Sequence, residues 1–411
     1  MISMLHVSQV FMVRALLFLC MLAVVLVGHV ELVLPEIQKD FRIIFIAVLF
    51  VCVSFVFILD FAKSGGMHFV VFCVLFSVFY SFGVSVATGG IISGLSPLLR
   101  LLTFAFMVSI IYKFMLKEEQ KANRYISNFF LLSSILVVLQ TVSDLFMMRY
   151  TFMNGGIRYF GSVGSPIGFA VSAFTLLAGV LYYWVRSGSV LSFVISVALL
   201  WVIVMTGTRS IAFFALCLVW FACAVCLKKW RRYIFILGTP LLGVVVMLLL
   251  SGSGFVSRLE NTYNSGTLDN SSSFRVFILE TYFSNIQPMQ AIFGFGLGGF
   301  HQWFLDRTGI ENVAPHFEFL WVLSEFGVLG VLIYVLSAFW LLYKFLKKRR
   351  CDSSLWFAFV AIGCMHQVFL QVANPFYFYQ FYLTYAVLLG ILLSRLNSNQ
   401  SFFERAHQDD K

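Results

Sequence analysis

The chain has 411 residues, of which 61% are hydrophobic and only 11% charged. Soluble domains carry about 25% charged and about 45–50% apolar residues, so this composition excludes a soluble globular enzyme as well as disordered and fibrous chains. A formal net charge of +10 raises nucleic acid as a partner, but the basic residues form no recognition helix or RNA-binding signature.

In chain order, apolar runs predict spans at 15–34, 43–59, 69–87, 96–116, 127–148, 167–185, 190–206, 211–227, 233–250, 328–346, 355–371 and 376–394. Runs of this length in lipid must be helical, because the bilayer cannot satisfy exposed backbone polar groups. The weak alternation of an outer-membrane barrel is absent. The expected fold is therefore an all-α polytopic membrane protein with about 12 transmembrane helices, one membrane domain over 1–411. No small-residue cleavage site follows the first apolar run, so Ala15–Leu34 is read as a retained span.

Sidedness follows from Lys and Arg, which accumulate in cytoplasmic loops. The clusters Lys228, Lys229, Arg231, Arg232 and Lys344, Lys347, Lys348, Arg349, Arg350 place both termini in the cytoplasm, with 395–411 as a cytoplasmic tail. Nine of the 28 basic residues fall outside: Lys39, Arg42, Arg100, Arg149, Arg158, Arg209, Arg258, Arg275 and Arg307. Eight of the nine are Arg, the side chain suited to planar, bidentate contact with phosphate. Interfacial anchoring to lipid headgroups accounts for Lys39, Arg42 and Arg149.

One long segment, 251–315, separates two spans and is expected to be a periplasmic loop. Loops of this length are usually functional. Phe274–Ile286 reads as helical, and Phe293–Phe300 (FGFGLGGF) as a glycine-rich turn. Seven of the eight cysteines lie in apolar runs, which is no disulfide framework. Cys223 and Cys226, a CxxC spacing inside an apolar run, read as buried small residues rather than a redox or zinc pair.

Motifs for nucleotide binding, metal-dependent hydrolysis and serine hydrolysis are absent, and the cytoplasmic loops are too short for a nucleotide-binding domain. Any substrate must therefore arrive already activated in the membrane. His316, in Ala314-Pro315-His316-Phe317-Glu318, would begin a helix at the outer interface. A neutral imidazole there could act as a general base on a hydroxyl, and a helix N-terminus disfavours the imidazolium. A helix-capping His is the plain alternative. Arg209, in Thr206-Gly207-Thr208-Arg209-Ser210, would sit near membrane depth and needs a counter-charge. A lipid-linked pyrophosphate or a carboxylate such as Asp144 or Glu325 could supply it. Arg158 lies among Gly156, Gly161 and Tyr159, and Arg275 opens the helical stretch of the long loop. Tyr263, Tyr282, Trp303 and Trp321 are candidates for stacking on sugars, or for an interfacial aromatic belt.

These segments, in this order, resemble the O-antigen ligase and polymerase superfamily (WaaL and Wzy proteins) from about Gly155 to Gly330. The resemblance is carried by the TGTRS turn, the SSSFR…FGFGLGGF loop and PHFEFLWVLSEFGVLG. Phe317 stands where the family pattern has Asn, while His316, Glu325, Gly327 and Gly330 are in place. The resemblance implies a GT-C-like helical fold in the bacterial inner membrane and metal-independent, cofactor-free glycan transfer on the periplasmic face. The donor would be an undecaprenyl-pyrophosphate-linked oligosaccharide held by Arg209, Arg275 and Arg158. His316 would activate the acceptor, with Glu325 and Glu318 in support. A polymerase, using a lipid-linked repeat unit as acceptor and working with a chain-length regulator, is preferred over a ligase acting on lipid A-core. A flippase for lipid-linked oligosaccharides is the alternative of another class.

Overall fold

A computed structural model describes residues 10–22, 38–64, 68–147, 151–153, 156–158, 166–226, 270–310, 318–348, 352–371 and 379–397. Among these the chain is helical throughout, apart from one short hairpin. The helices are α1 (Val10–Leu22), α2 (Gln38–Ser64), α3 (Phe69–Ala87), α4 (Ile91–Lys117), α5 (Glu119–Phe146), α6 (Pro166–Ser187), α7 (Val190–Met205) and α8 (Arg209–Cys226). They continue with α9 (Asn270–Asn285), α10 (Pro288–Phe293), α11 (Gly299–Thr308), α12 (Glu318–Lys347), α13 (Ser353–Gln371) and α14 (Tyr379–Asn397). Between α5 and α6, β1 (Thr151–Met153) and β2 (Gly156–Arg158) pair antiparallel, with Thr151 opposite Arg158.

Five of these helices are long and apolar enough to cross a membrane: α3, α4, α5, α6 and α12. Shorter apolar helices, including α1, α7, α8, α13 and α14, complete the bundle. The expected span 233–250 lies outside the described residues. Arg100, sorted to the outside by charge, lies within α4.

The core centres on α4 and α6. α4 packs on α2, α3 and α14, and α6 on α5, α7, α8, α13 and α14. Small residues allow the close approaches: a methyl group on Gly179 of α6 would lie 2.1 Å from the Phe130 ring, and one on Gly390 of α14 would lie 2.8 Å from Ile111. Thr175 and Thr384 share a hydroxyl hydrogen bond of 2.5 Å between α6 and α14. One hydroxyl donates across that contact, and the other is placed to donate to a carbonyl on its own helix, Ser172 O for Thr175 or Phe381 O for Thr384, so both buried hydroxyls are satisfied.

One end of the bundle is tied by charge. Glu119 at the start of α5 accepts from Arg186 at 3.1 Å and from Arg395 at 2.9 Å. Arg395 also pairs with Asp352, whose other oxygen caps α13 by accepting from the Leu355 amide at 2.7 Å. The starts of α5 and α13 and the ends of α6 and α14 therefore meet there. α3 and α4 run between the same two ends, so the α3–α4 turn, the β-hairpin, the α7–α8 turn and the start of α12 lie at the opposite end.

His68 caps α3, its Nδ1 accepting from the Val70 amide at 3.3 Å. Tyr112 and Trp340 meet it edge-on. Burial, with the Lys344 charge adding to it, holds this imidazole down at about 4, below its ordinary 6.5. The unfolded chain then binds the extra proton first, so the stability is complete above pH 6.5 and is lost as pH falls towards 4. About 2 kcal/mol would go by pH 5, at ~1.4 kcal/mol per pH unit. We predict that His68→Asn, which keeps a capping acceptor but does not titrate, shows a smaller drop in unfolding midpoint between pH 7 and pH 5 than the wild type. Equal drops would show that His68 does not carry this linkage.

Candidate functional site

α12 is broken near its start. Gly327 has φ 66° and ψ −172°, which no helix contains. In a continuous helix the carbonyls of residues 323–325 would accept from the amides of 327–329. At the break other donors take those carbonyls over. The Tyr282 hydroxyl donates to Leu323 O at 3.4 Å, and the Phe295 amide to Ser324 O at 2.7 Å. The Gly296 amide and the Ser81 hydroxyl both reach Glu325 O, at 3.2 and 2.7 Å.

The two amide donors come from the glycine-rich turn between α10 and α11. It lies backbone against backbone on the break. A methyl group at Gly294 (φ +77°) would be 2.6 Å from the Glu325 carbonyl, and one at Gly327 would be 2.2 Å from Ile292 O. Neither position admits a side chain, and both have the left-handed φ that glycine adopts without strain. Two further bonds fasten the turn to α3: Ser85 Oγ donates to Leu297 O at 3.0 Å and the Tyr80 hydroxyl to Phe293 O at 3.3 Å.

Glu325 sits beneath this turn, 1% exposed. Its carboxylate accepts from the Gly298 amide and the Trp321 indole. Its Oε2 is buried without a hydrogen-bond partner. The Gly298 bond ties the side chain to the turn, and the Trp321 bond, from the preceding turn of α12, holds it in place.

α9–α11 form a small aromatic core of their own. Ile278, Tyr282, Phe295, Phe300, Trp303, Phe304 and Leu320 cluster together, with Phe295 and Trp303 stacked at 4.8 Å between centroids. Tyr282 and Trp303 were expected to offer faces to a sugar. The structure instead buries both, Tyr282 at 1% and Trp303 at 8% exposure, because Tyr282, Phe295 and Phe300 ring the indole. Trp321 is likewise buried, against Phe326. Tyr263 lies outside the described residues. Burial also raises the proton affinity of the Tyr282 hydroxyl, so it remains a donor to Leu323.

Arg275 lies on α9, one turn before Ile278, and is half-buried. Arg209 is the first residue of α8, after the turn in which Thr206 and Thr208 share a 2.7 Å hydroxyl contact. Arg158 ends β2. Glu318 begins α12, and His316 lies outside the described residues. By backbone position Arg158, Arg209, Arg275 and the start of α12 belong to the end of the bundle away from the Glu119 cluster. Sequence reasoning overlooked Ser81, Ser85 and Tyr80. Two serines four apart near the end of an apolar helix, on one face, were the signal available.

Removing the Glu325 acceptor strands the buried Trp321 indole, at about 1–3 kcal/mol, and frees the half-buried Gly298 amide. We predict that Glu325→Ala lowers the unfolding midpoint markedly, while Glu325→Gln, which keeps an acceptor oxygen, stays near wild type. Gly294→Ala should destabilise at least as much as Glu325→Ala, since backbone must move. Unchanged midpoints for Gly294→Ala and Glu325→Ala would contradict the docking of the turn on the break.

No curated protein matches the sequence. Residues 194–335 match a family model, Wzy_C, described as O-antigen ligase. The match takes in the α7–α8 turn, α9, the glycine-rich turn and the broken start of α12; Arg158 lies outside it. Over that stretch the resemblance to the O-antigen ligase and polymerase superfamily is borne out.

Proposed function

We propose that this protein is a membrane glycan transferase that takes an oligosaccharide from an undecaprenyl-pyrophosphate carrier and joins it to a lipid-linked repeat unit, as an O-antigen polymerase. In this reading the chain is one GT-C-like membrane domain of about 12 spans in the inner membrane. Its termini, with the tail 395–411, are cytoplasmic, and the end bearing α9–α11, within the segment 251–315, is periplasmic. The observation that carries the proposal is the Wzy_C match over 194–335. The gathering of the elements bearing Arg209, Arg275, Arg158 and the start of α12 at one end supports it.

The chemistry follows from the residue types. Arg209 and Arg275, with Arg158 as a third cation, would pair with the donor pyrophosphate and stabilise the charge growing on it as it leaves. His316 would take the proton from an acceptor hydroxyl. The hydroxyl oxygen then bonds to the anomeric carbon, the carbon–oxygen bond to the pyrophosphate breaks, and the carrier departs as its pyrophosphate. Glu325 would act in support by holding the glycine-rich turn, and Glu318 by its place at the start of α12. Neither a metal nor another cofactor enters the scheme. A chain-length regulator is the protein partner this reading expects.

The second reading is a ligase with lipid A-core as acceptor, and the matched family's description as O-antigen ligase favours it. Donor chemistry is the same in both, so the acceptor separates them. In proteoliposomes with lipid-linked repeat units, we predict elongated lipid-linked glycan from the wild type and none from His316→Ala. Arg209→Lys and Arg275→Lys should fail as well, since an ammonium cannot reproduce a bidentate guanidinium contact. Product formed only on added lipid A-core would replace polymerase by ligase. Full transfer by both His316→Ala and Arg209→Lys would reject the site.

A further inference from the structure

We infer that α10 and the glycine-rich turn form a re-entrant segment. Met289, Ile292 and Phe293 would lie among the phospholipids of the leaflet on that side, continuing the lipid-facing surface of α3 and α12. The inference rests on the chain spanning a membrane and not on the transferase reading.

Depth is the first observation. The turn does not sit on top of the bundle. Tyr80, which donates to Phe293 O, lies seven residues before the end of α3 at Ala87, about 10 Å at 1.5 Å per residue. Its other fastening points, Ser81 and Ser85 on α3 and the break at Gly327 on α12, lie inside their helices as well. α3 and α12 are both long and apolar enough to span.

The exposed face of α10 is the second. None of its residues is buried, although α10 packs along α12. Met289, Ile292 and Phe293, spaced i, i+3 and i+4, lie on one helical face, at 66%, 47% and 37% exposure. In water this face would be an unfavourable apolar patch.

Continuity supplies the occupant. On α3, Phe72, Phe76 and Phe79 form an exposed stripe that ends beside Tyr80, whose ring lies 6.3 Å from Phe293. On α12 beyond the break, Val328, Leu332, Val335, Leu336 and Phe339 form another. α3 and α12 pack on each other, and α10 is fastened to both. Irregular backbone at membrane depth is tolerated where protein buries it, and residues 294–297 are buried. The carbonyls at the break are bonded, and among the described residues the most exposed side chains of α10 after Pro288 are apolar.

The test is site-specific photocrosslinking of the full chain in nanodiscs of phosphatidylethanolamine and phosphatidylglycerol. p-Benzoylphenylalanine replaces Met289 or Ile292, with Phe76 as the lipid-facing standard and Gln302, exposed on α11, as the solvent standard. The expected result is phospholipid adducts at 289 and 292 in yields like that at 76 and well above that at 302, read by intact mass. Three results at 289 and 292 would overturn the inference while 76 still captures lipid: adducts to protein, adducts to a second copy, or yields at the level of 302. Each is independent of whether the protein transfers glycan.

Discussion

The structure at the loop end depends on one backbone constraint. α12 is interrupted at Gly327, and three carbonyls before the interruption lose the amides that would serve them in a continuous helix. Buried carbonyls without donors are expensive. The remedy is a second piece of backbone brought close enough to donate, and only glycine at 294 and 327 permits that approach. The glycine-rich turn, the serines of α3 and the buried Glu325 are consequences of the same need. Through Phe295, which bonds to Ser324 and also packs on Trp303, the break is coupled to the aromatic core of α9–α11. That coupling fixes the helix bearing Arg275 relative to the start of α12.

The two ends of the bundle solve electrostatics differently. At one end Glu119 is shared by two guanidinium groups, and Asp352 joins the second of them to the cap of α13. Arg186 and Arg395 are matched there by Glu119 and Asp352, and the pairs are partly exposed, so their worth is modest. At the other end lie the elements that carry Arg158, Arg209 and Arg275, drawn from separate parts of the chain.

Much of the helical layout was legible from hydropathy. The run 69–87 coincides with α3, and 190–206 differs from α7 by one residue, because uninterrupted apolar stretches bounded by Gly or Ser leave little choice. Where polar residues are buried, hydropathy falls short. The run read as 328–346 begins at 318 in the structure, since Ser324 and Glu325 look like the edge of a span although both are buried. Tyr282 and Trp303 look like interfacial or sugar-binding rings, and packing turns them into core.

Composition, the apolar runs and the distribution of Lys and Arg by themselves determined that this is a predominantly helical chain suited to a membrane, where most of its long apolar helices lie, and which motifs deserve a chemical reading. Only the tertiary structure decided that α12 is broken, that the glycine-rich turn, α9 and α3 share the donors at the break, and that Glu325 faces that turn. The reason is physical: helix formation and membrane insertion are governed by local hydrophobicity. Which donor satisfies a freed carbonyl depends on backbones more than 200 residues apart in sequence, such as Ser81 and Glu325, and no local pattern encodes their meeting.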